Sequence, residues 1–253
     1  MAIQKTEAFV LKTQAFRSTS LMGTFFSKDF GKLKGVVKAV RREHEMRGAA
    51  FEPFTRLEIL FYEKTRSDLH LISEASIVES HDMLRTRLDT ICYASYFSEL
   101  VDQLCEVHDP HPALFDLVDF AFRFLPSVPE ERLSRLFEIH LLREIGWVPY
   151  LQGCLSCRDA AFEKGFFSVA KGAVYCPRCA PEVVDARPLS PEALAVLRYY
   201  ATHSPELSLK LRVGERGESE LSKLMDRFLT YRLNTPLKSR RFMDQMLTKS
   251  IAS

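Results

Sequence analysis

Four cysteines stand in two close pairs, Cys154-Leu155-Ser156-Cys157 and Cys176-Pro177-Arg178-Cys179, with eighteen residues between the pairs. Two residues between thiols let one turn present both sulfurs to the same ion, and two such knuckles complete a tetrahedron of sulfur ligands. The spacing predicts a Zn(2+) site held by Cys154, Cys157, Cys176 and Cys179, one ion per chain. Four thiolates leave no coordination position for water or substrate, so the expected role is structural. Metal binding at such sites supplies ~10–16 kcal/mol of folding free energy, and the module, residues 150–182, is expected to unravel first without it. Cys92 and Cys105 stand apart in apolar helical sequence and read as ordinary buried thiols.

A second constellation is electrostatic. Lys28, Lys32, Lys34, Lys38, Arg41, Arg42 and Arg47 fall in twenty residues that hold three acids, Asp29, Glu43 and Glu45. Lys32, Lys34 and Lys38 are evenly spaced, which places them on one face of a strand. A stripe of this kind neutralises phosphates without reading bases, and its binding is salt-sensitive. The alternative is a solvated strand face that guards against aggregation. Phe16, Phe26, Phe30 and Phe51 lie near enough to stack bases if exposed, or to fill a barrel core if buried. Lys238, Arg240 and Arg241 form a second basic group, with Arg227 and Arg232 before it, that suits DNA or an acidic peptide.

Other chemistry is absent from the sequence. The ten glycines are dispersed and form neither a P-loop nor a dinucleotide turn. There is no HExxH pair and no GxSxG elbow, and His140 sits on an apolar helix face as a core residue. The acids Glu130 and Glu131 open a helix, where the macrodipole accounts for them. An enzyme is not expected.

The elements that must carry these groups change character near residue 80. Before it come five strands: Glu7–Thr13, Leu21–Ser27, Lys32–Val40, Phe54–Glu63 and Leu69–Val78. Lys28-Asp29-Phe30-Gly31 is a tight turn, and Lys64–Asp68 a hairpin loop. Five short antiparallel strands suit a small closed barrel; an OB-fold is the commonest such answer, and an SH3-like barrel has the same strand count. From Ser80 apolar residues recur at helical period: Leu84, Leu88, Ile91, Cys92, Leu100, Val101, Leu104 and Cys105, then Leu114 to Leu125, then Leu133 to Leu141, with Gly146 as a C-cap. Gly165–Tyr175 reads as a hairpin between the cysteine pairs. Three helices follow, one opened by Ser190-Pro191, one over Glu218–Asn234 and one over Ser239–Lys249. The expected architecture is α+β, with an N-terminal five-stranded OB-fold barrel over 1–80 and an all-α domain over 81–253 carrying the inserted four-cysteine zinc module.

The 253 residues, 46% hydrophobic and 27% charged, are of globular composition, and the net charge of +2 is too mild to specify a partner. Lys5 interrupts the opening before any signal-like apolar run, and no stretch approaches ~18 apolar residues. The expected location is cytoplasmic, with no membrane partner.

Several segments together resemble the RecO family of bacterial recombination mediators. They are Thr6–Leu11, Phe30–Arg42, Glu52-Pro53-Phe54, Arg135–Pro149, the cysteine module and Pro236–Phe242, in order along the whole length. The resemblance implies an OB-fold, a helical domain with the zinc module, and no turnover. It further implies binding of single- and double-stranded DNA, annealing of complementary strands, and action with RecR to load RecA onto strands coated by single-stranded-DNA-binding protein (SSB), in the nucleoid-associated cytoplasm. Carried over, the family's barrel-face DNA contacts fall on Lys32, Lys34, Lys38, Arg41 and Arg42, and Arg47 extends the same run. The helical domain of the family also engages the acidic C-terminal tail of SSB. The competing reading is an RNA- or ribosome-associated factor sharing a barrel and a zinc ribbon.

Overall fold

The computed structural model describes residues 2–16, 20–38, 50–64 and 67–251. Two compact units emerge: 1–127 with 237–253, and 128–236.

The first unit is built on five strands, β1 (Ile3–Phe16), β2 (Ser20–Ser27), β3 (Gly31–Val37), β4 (Arg56–Tyr62) and β5 (Leu69–Glu79), closed in the order β1-β2-β3-β5-β4. The closing pair, β3 with β5, is parallel, from Lys34 opposite Leu69 to Val37 opposite Ile72, whereas every other pair is antiparallel. The wholly antiparallel barrel expected from the sequence is corrected on this point, and the strand order is that of an OB-fold. Strand alternation does its work in β4, where Leu57, Ile59 and Phe61 point inward against Ala8, Val10, Phe25, Leu33 and Ile72. Gly31 ends the β2–β3 turn at φ +63, and a Cβ there would stand 2.2 Å from the Asp109 carbonyl oxygen, so only glycine fits.

The barrel's outer face is also apolar where helices cover it. Helix α1 (Leu88–Leu104) follows a single 3₁₀ turn, Asp82–Arg85, and precedes α2 (Pro112–Phe124). Leu84 therefore belongs to the turn and not to the helix, and Leu88, at the exposed first position of α1, is half open to solvent rather than core. On α2, Leu114, Phe115, Leu117, Val118, Ala121 and Phe122 are buried as their spacing requires. Phe115 and Phe122 meet Phe9 of the barrel at ring-centroid distances of 4.7 and 5.5 Å. Each such fully buried aromatic contributes on the order of 1.5–3 kcal/mol.

The second unit comprises α3 (Glu130–Glu144), a three-stranded sheet of β6 (Gly165–Ser168), β7 (Ala173–Tyr175) and β8 (Arg187–Leu189), and helices α4 (Pro191–Thr202), α5 (Pro205–Lys210) and α6 (Glu215–Leu233). α3 ends at Gly146, φ +76, where Trp147 N–H donates to the Leu142 carbonyl at 2.7 Å and Gly146 N–H to that of Arg143 at 3.1 Å, a Schellman cap. Ser190 Oγ accepts the Ala193 N–H at 3.2 Å and opens α4. The last helix, α7 (Lys238–Ile251), returns to the first unit and packs on α1. Among the described residues no helix is long and apolar enough to cross a membrane.

Candidate metal centre and nucleic-acid interface

The sulfurs of Cys154, Cys157, Cys176 and Cys179 all lie within 4.8 Å of one another. Bonds of about 2.3 Å to a central zinc would put tetrahedral sulfurs about 3.8 Å apart, and Cys157 and Cys176 are 3.7 Å apart. Local hydrogen bonds build both knuckles. Cys154 N–H donates to the Asp159 carbonyl at 2.7 Å and Arg158 N–H to the Cys154 carbonyl at 2.9 Å, across a left-handed Arg158. In the second knuckle the N–H groups of Cys179 and Ala180 both donate to the Cys176 carbonyl. The β6–β7 hairpin that brings the knuckles together is the one expected between them, and Leu155 N–H, donating to Val174 at 3.0 Å, pins it to the first. β8, which extends this sheet along β6, was not legible in the spacing.

Electrostatics at the cluster favour a cation. Burial pushes the Cys154 thiol up, but the N–H groups of Cys157, Cys176 and Ser156 more than offset this and bring it to about 6. Cys179, hydrogen-bonded to Cys157 and Cys176, is pushed up to about 12. Four neighbouring sulfurs cannot all carry negative charge unless positive charge sits between them. The donor set fits a thiolate-loving metal with no open position. Cys92 and Cys105 are buried elsewhere, and burial pushes Cys105 up to about 12, an inert thiol.

The basic stripe is divided. Lys34 and Lys38 are exposed, but Lys32 is buried: its Nζ donates to the Asp102 backbone carbonyl and lies 3.6 Å from that residue's carboxylate on α1. Lys12 joins the same carboxylate at 2.5 Å. Lys32 and Lys34 alternate onto one face of β3, and Lys38 follows the strand's last residue, Val37; α1 covers the end that holds Lys32 and removes it from reach of a phosphate. Arg41, Arg42 and Arg47 lie outside the described residues. Among the aromatics, Phe26 and Phe51 are core, Phe30 packs edge-on to Phe61 at 5.3 Å and borders a groove beside Asp29 and His108, and Phe16 borders another.

The groove at Phe16, of about 510 Å³, is lined by Phe16, Val36, Lys38, Tyr62, Lys64 and His70, with Leu69 and Leu71. It lies where the end of β1 meets the start of the β4–β5 loop, the two loop positions at which OB-folds take oligonucleotides. Tyr62 and Lys64 were not singled out by sequence; the signal available was Lys64 at the start of the β4–β5 loop. In the C-terminal group, Lys238 and Arg241 are exposed, while Arg240 is half-buried with its guanidinium 5.9 Å from the Tyr96 ring centroid.

Two family models match the chain nearly end to end: "Recombination protein O N terminal" over residues 1–81 and "Recombination protein O C terminal" over 85–241. This chain belongs to the RecO family. It is similar to DNA repair protein RecO of Salinibacter ruber, 31% identical over an alignment that covers 97% of this chain and 95% of that protein. It is similar also to DNA repair protein RecO of Syntrophus aciditrophicus, 28% identical over 97% of this chain and 96% of that protein, and to that of Pelotomaculum thermopropionicum, 29% identical over 97% and 95%. The two RecO segments meet at the Asp82–Arg85 turn, just beyond the left-handed His81.

Proposed function

We propose that this RecO-family chain is a recombination mediator without catalytic turnover. It binds single- and double-stranded DNA, anneals complementary strands and, with RecR, helps load RecA onto SSB-coated single strands, with the acidic SSB C-terminal tail as a further partner. The work is cytoplasmic, at the nucleoid. The observation that carries the reading is the barrel groove, where exposed cations, Lys38 and Lys64, flank two aromatic rings, Phe16 and Tyr62, at the OB-fold ligand position. Cations neutralise the strand's phosphates and release counterions, and the rings offer π-faces to unpaired bases of any sequence. Lys34 extends the charge along β3, and Arg41, Arg42 and Arg47 follow it in sequence. Lys238 and Arg241 remain a candidate second contact for DNA or an acidic peptide.

Cys154, Cys157, Cys176 and Cys179 would hold one Zn(2+), which supplies cross-linking of the two knuckles and no chemistry on DNA. The fit of four sulfurs to a tetrahedron supports this role.

The deciding experiment follows annealing of complementary oligonucleotides coated by SSB, with and without the protein. Acceleration that needs no nucleotide and that salt suppresses is expected. Unchanged annealing together with preferential binding of RNA would overturn the mediator reading in favour of an RNA-associated factor.

A further inference from the structure

The solvent face of α6 carries charge that neither the fold nor the zinc module uses. Arg216, Lys223, Arg227 and Tyr231 follow at intervals of seven, four and four residues, which at 3.6 per turn sets them in one line about 22 Å long. All four are exposed, Tyr231 at 53%. Of the four acids of the helix, Glu220 falls in this line by spacing, but its carboxylate accepts the Ser190 N–H at 2.8 Å. Glu218 is partly buried and faces Arg132, and Glu215 and Asp226 sit about a quarter-turn round the helix.

Lys5, Lys28 and Arg87 meet acids, at Glu58, Asp116 and Asp89, whereas Lys34, Lys38 and Lys64 of the barrel stand exposed with no ion pair among the described residues. Among the described residues Arg216, Lys223 and Arg227 make no ion pair, and Arg227 Nε donates instead to the Lys223 carbonyl at 3.1 Å. Like charges at i and i+4 repel one another on a helix. The macrodipole rewards cations only in the last turn, so it does not account for Lys223 in the middle and opposes Arg216 in the first turn. An uncompensated cationic line costs helix stability, and a polyanion laid along it would relieve that cost. An exposed tyrosine in the same line distinguishes the polyanion: an acidic peptide needs only the cations, whereas a nucleic-acid strand also supplies bases to stack.

We propose that this face of α6 is a second single-stranded DNA site, in the unit that does not contain the barrel. Arg216, Lys223 and Arg227 contact successive phosphates and Tyr231 stacks a base. The choice of DNA as the polyanion rests on the function proposed above; the existence of a site on α6 does not.

The test compares two charge-reversal variants of the full chain, Lys223→Glu/Arg227→Glu on α6 and Lys34→Glu/Lys38→Glu on the barrel, in salt titrations with a labelled oligonucleotide and in strand annealing. Each phosphate contact on a single strand contributes about 0.7 to the log–log salt slope. The α6 variant is expected to lower that slope by about 1.4 and to slow annealing while the barrel variant lowers it separately. A 5-iodouracil oligonucleotide is expected to cross-link to Tyr231 in the unmodified protein. A parental slope and parental annealing in the α6 variant, with no cross-link at Tyr231, would overturn the site, and would leave the barrel reading standing if the barrel variant is impaired. Loss of binding to an acidic peptide with DNA binding intact would also overturn it, assigning the face to protein. If charge reversal unfolds the chain, Lys223→Gln/Arg227→Gln and the cross-link decide.

Discussion

Glu99 of α1 holds the first turn of α7 through Ser239: Glu99 Oε2 accepts the Ser239 N–H at 2.7 Å, and its other oxygen accepts the Lys238 N–H at 2.9 Å. The first turn of a helix has N–H groups with no partner inside the helix. Here a carboxylate 139 and 140 residues earlier in the chain supplies them, with the sign the macrodipole favours. Glu99→Ala is expected to destabilise the first unit by about 1–2 kcal/mol. Limited proteolysis should show cleavage near residue 237 at lower protease concentration than in the parent. An unchanged cleavage pattern would mean that packing alone seats α7.

Lys32 and Lys34 should separate in experiment although they lie on one strand face. Lys34→Glu with Lys38→Glu is expected to lower the single-strand salt slope by about 1.4. Lys32→Met should leave the slope unaltered and reduce stability by roughly 1–3 kcal/mol, because it leaves a buried carbonyl acceptor at Asp102 unpaired. A Lys32 variant that stays stable and loses DNA affinity would show the residue working outside its contact with α1.

Metal analysis of freshly reduced protein is expected to give one zinc per chain. Chelation should raise hydrogen exchange in residues 150–182 before it does so in the barrel. Cys176→Ser should act as chelation does, because it removes a buried ligand from the site. Well under one zinc per chain, or a visible iron–sulfur chromophore, would remove this assignment.

His140 gives the second unit an acid limit. Burial, and then the nearby Arg143, lower its imidazole to about 4, with Glu206 opposing. The unfolded chain, with histidine near 6.5, binds the proton more readily than the folded one. The stabilisation is therefore full above 6.5 and declines as pH falls from 6.5 towards 4, by on the order of 3 kcal/mol. His140→Gln, which can keep a hydrogen bond to Ser208 (3.3 Å from His140 Nε2), should flatten denaturation midpoints measured between pH 6.5 and 4. The same slope in the variant would place the titration at another buried histidine, such as His81.

Local signals were readable where they are complete within a few residues. The Cys-x-x-Cys pairs, Gly146 and Ser190-Pro191 each specify their geometry alone. Ser204-Pro205 repeats the last of these, and Ser204 Oγ accepts the Leu207 N–H to open α5, a helix of six residues too short to show apolar periodicity. Contacts distant in sequence were not readable. Alternation is the same in parallel and antiparallel strands, so the β3–β5 pairing left no trace in the pattern. The fate of Lys32 depends on Asp102, seventy residues on. Phe16 and Tyr62 become neighbours across one groove only when the barrel closes.

The return of α7 to the first unit sets an order of assembly. Tyr96 and Glu99 have been synthesised well before Arg240 and Ser239, and all of the second unit is made in between. During translation the nascent first unit must wait with that flank of α1 open to water, a period in which a chaperone can hold it and in which a neighbouring chain's own α7 can dock in its stead.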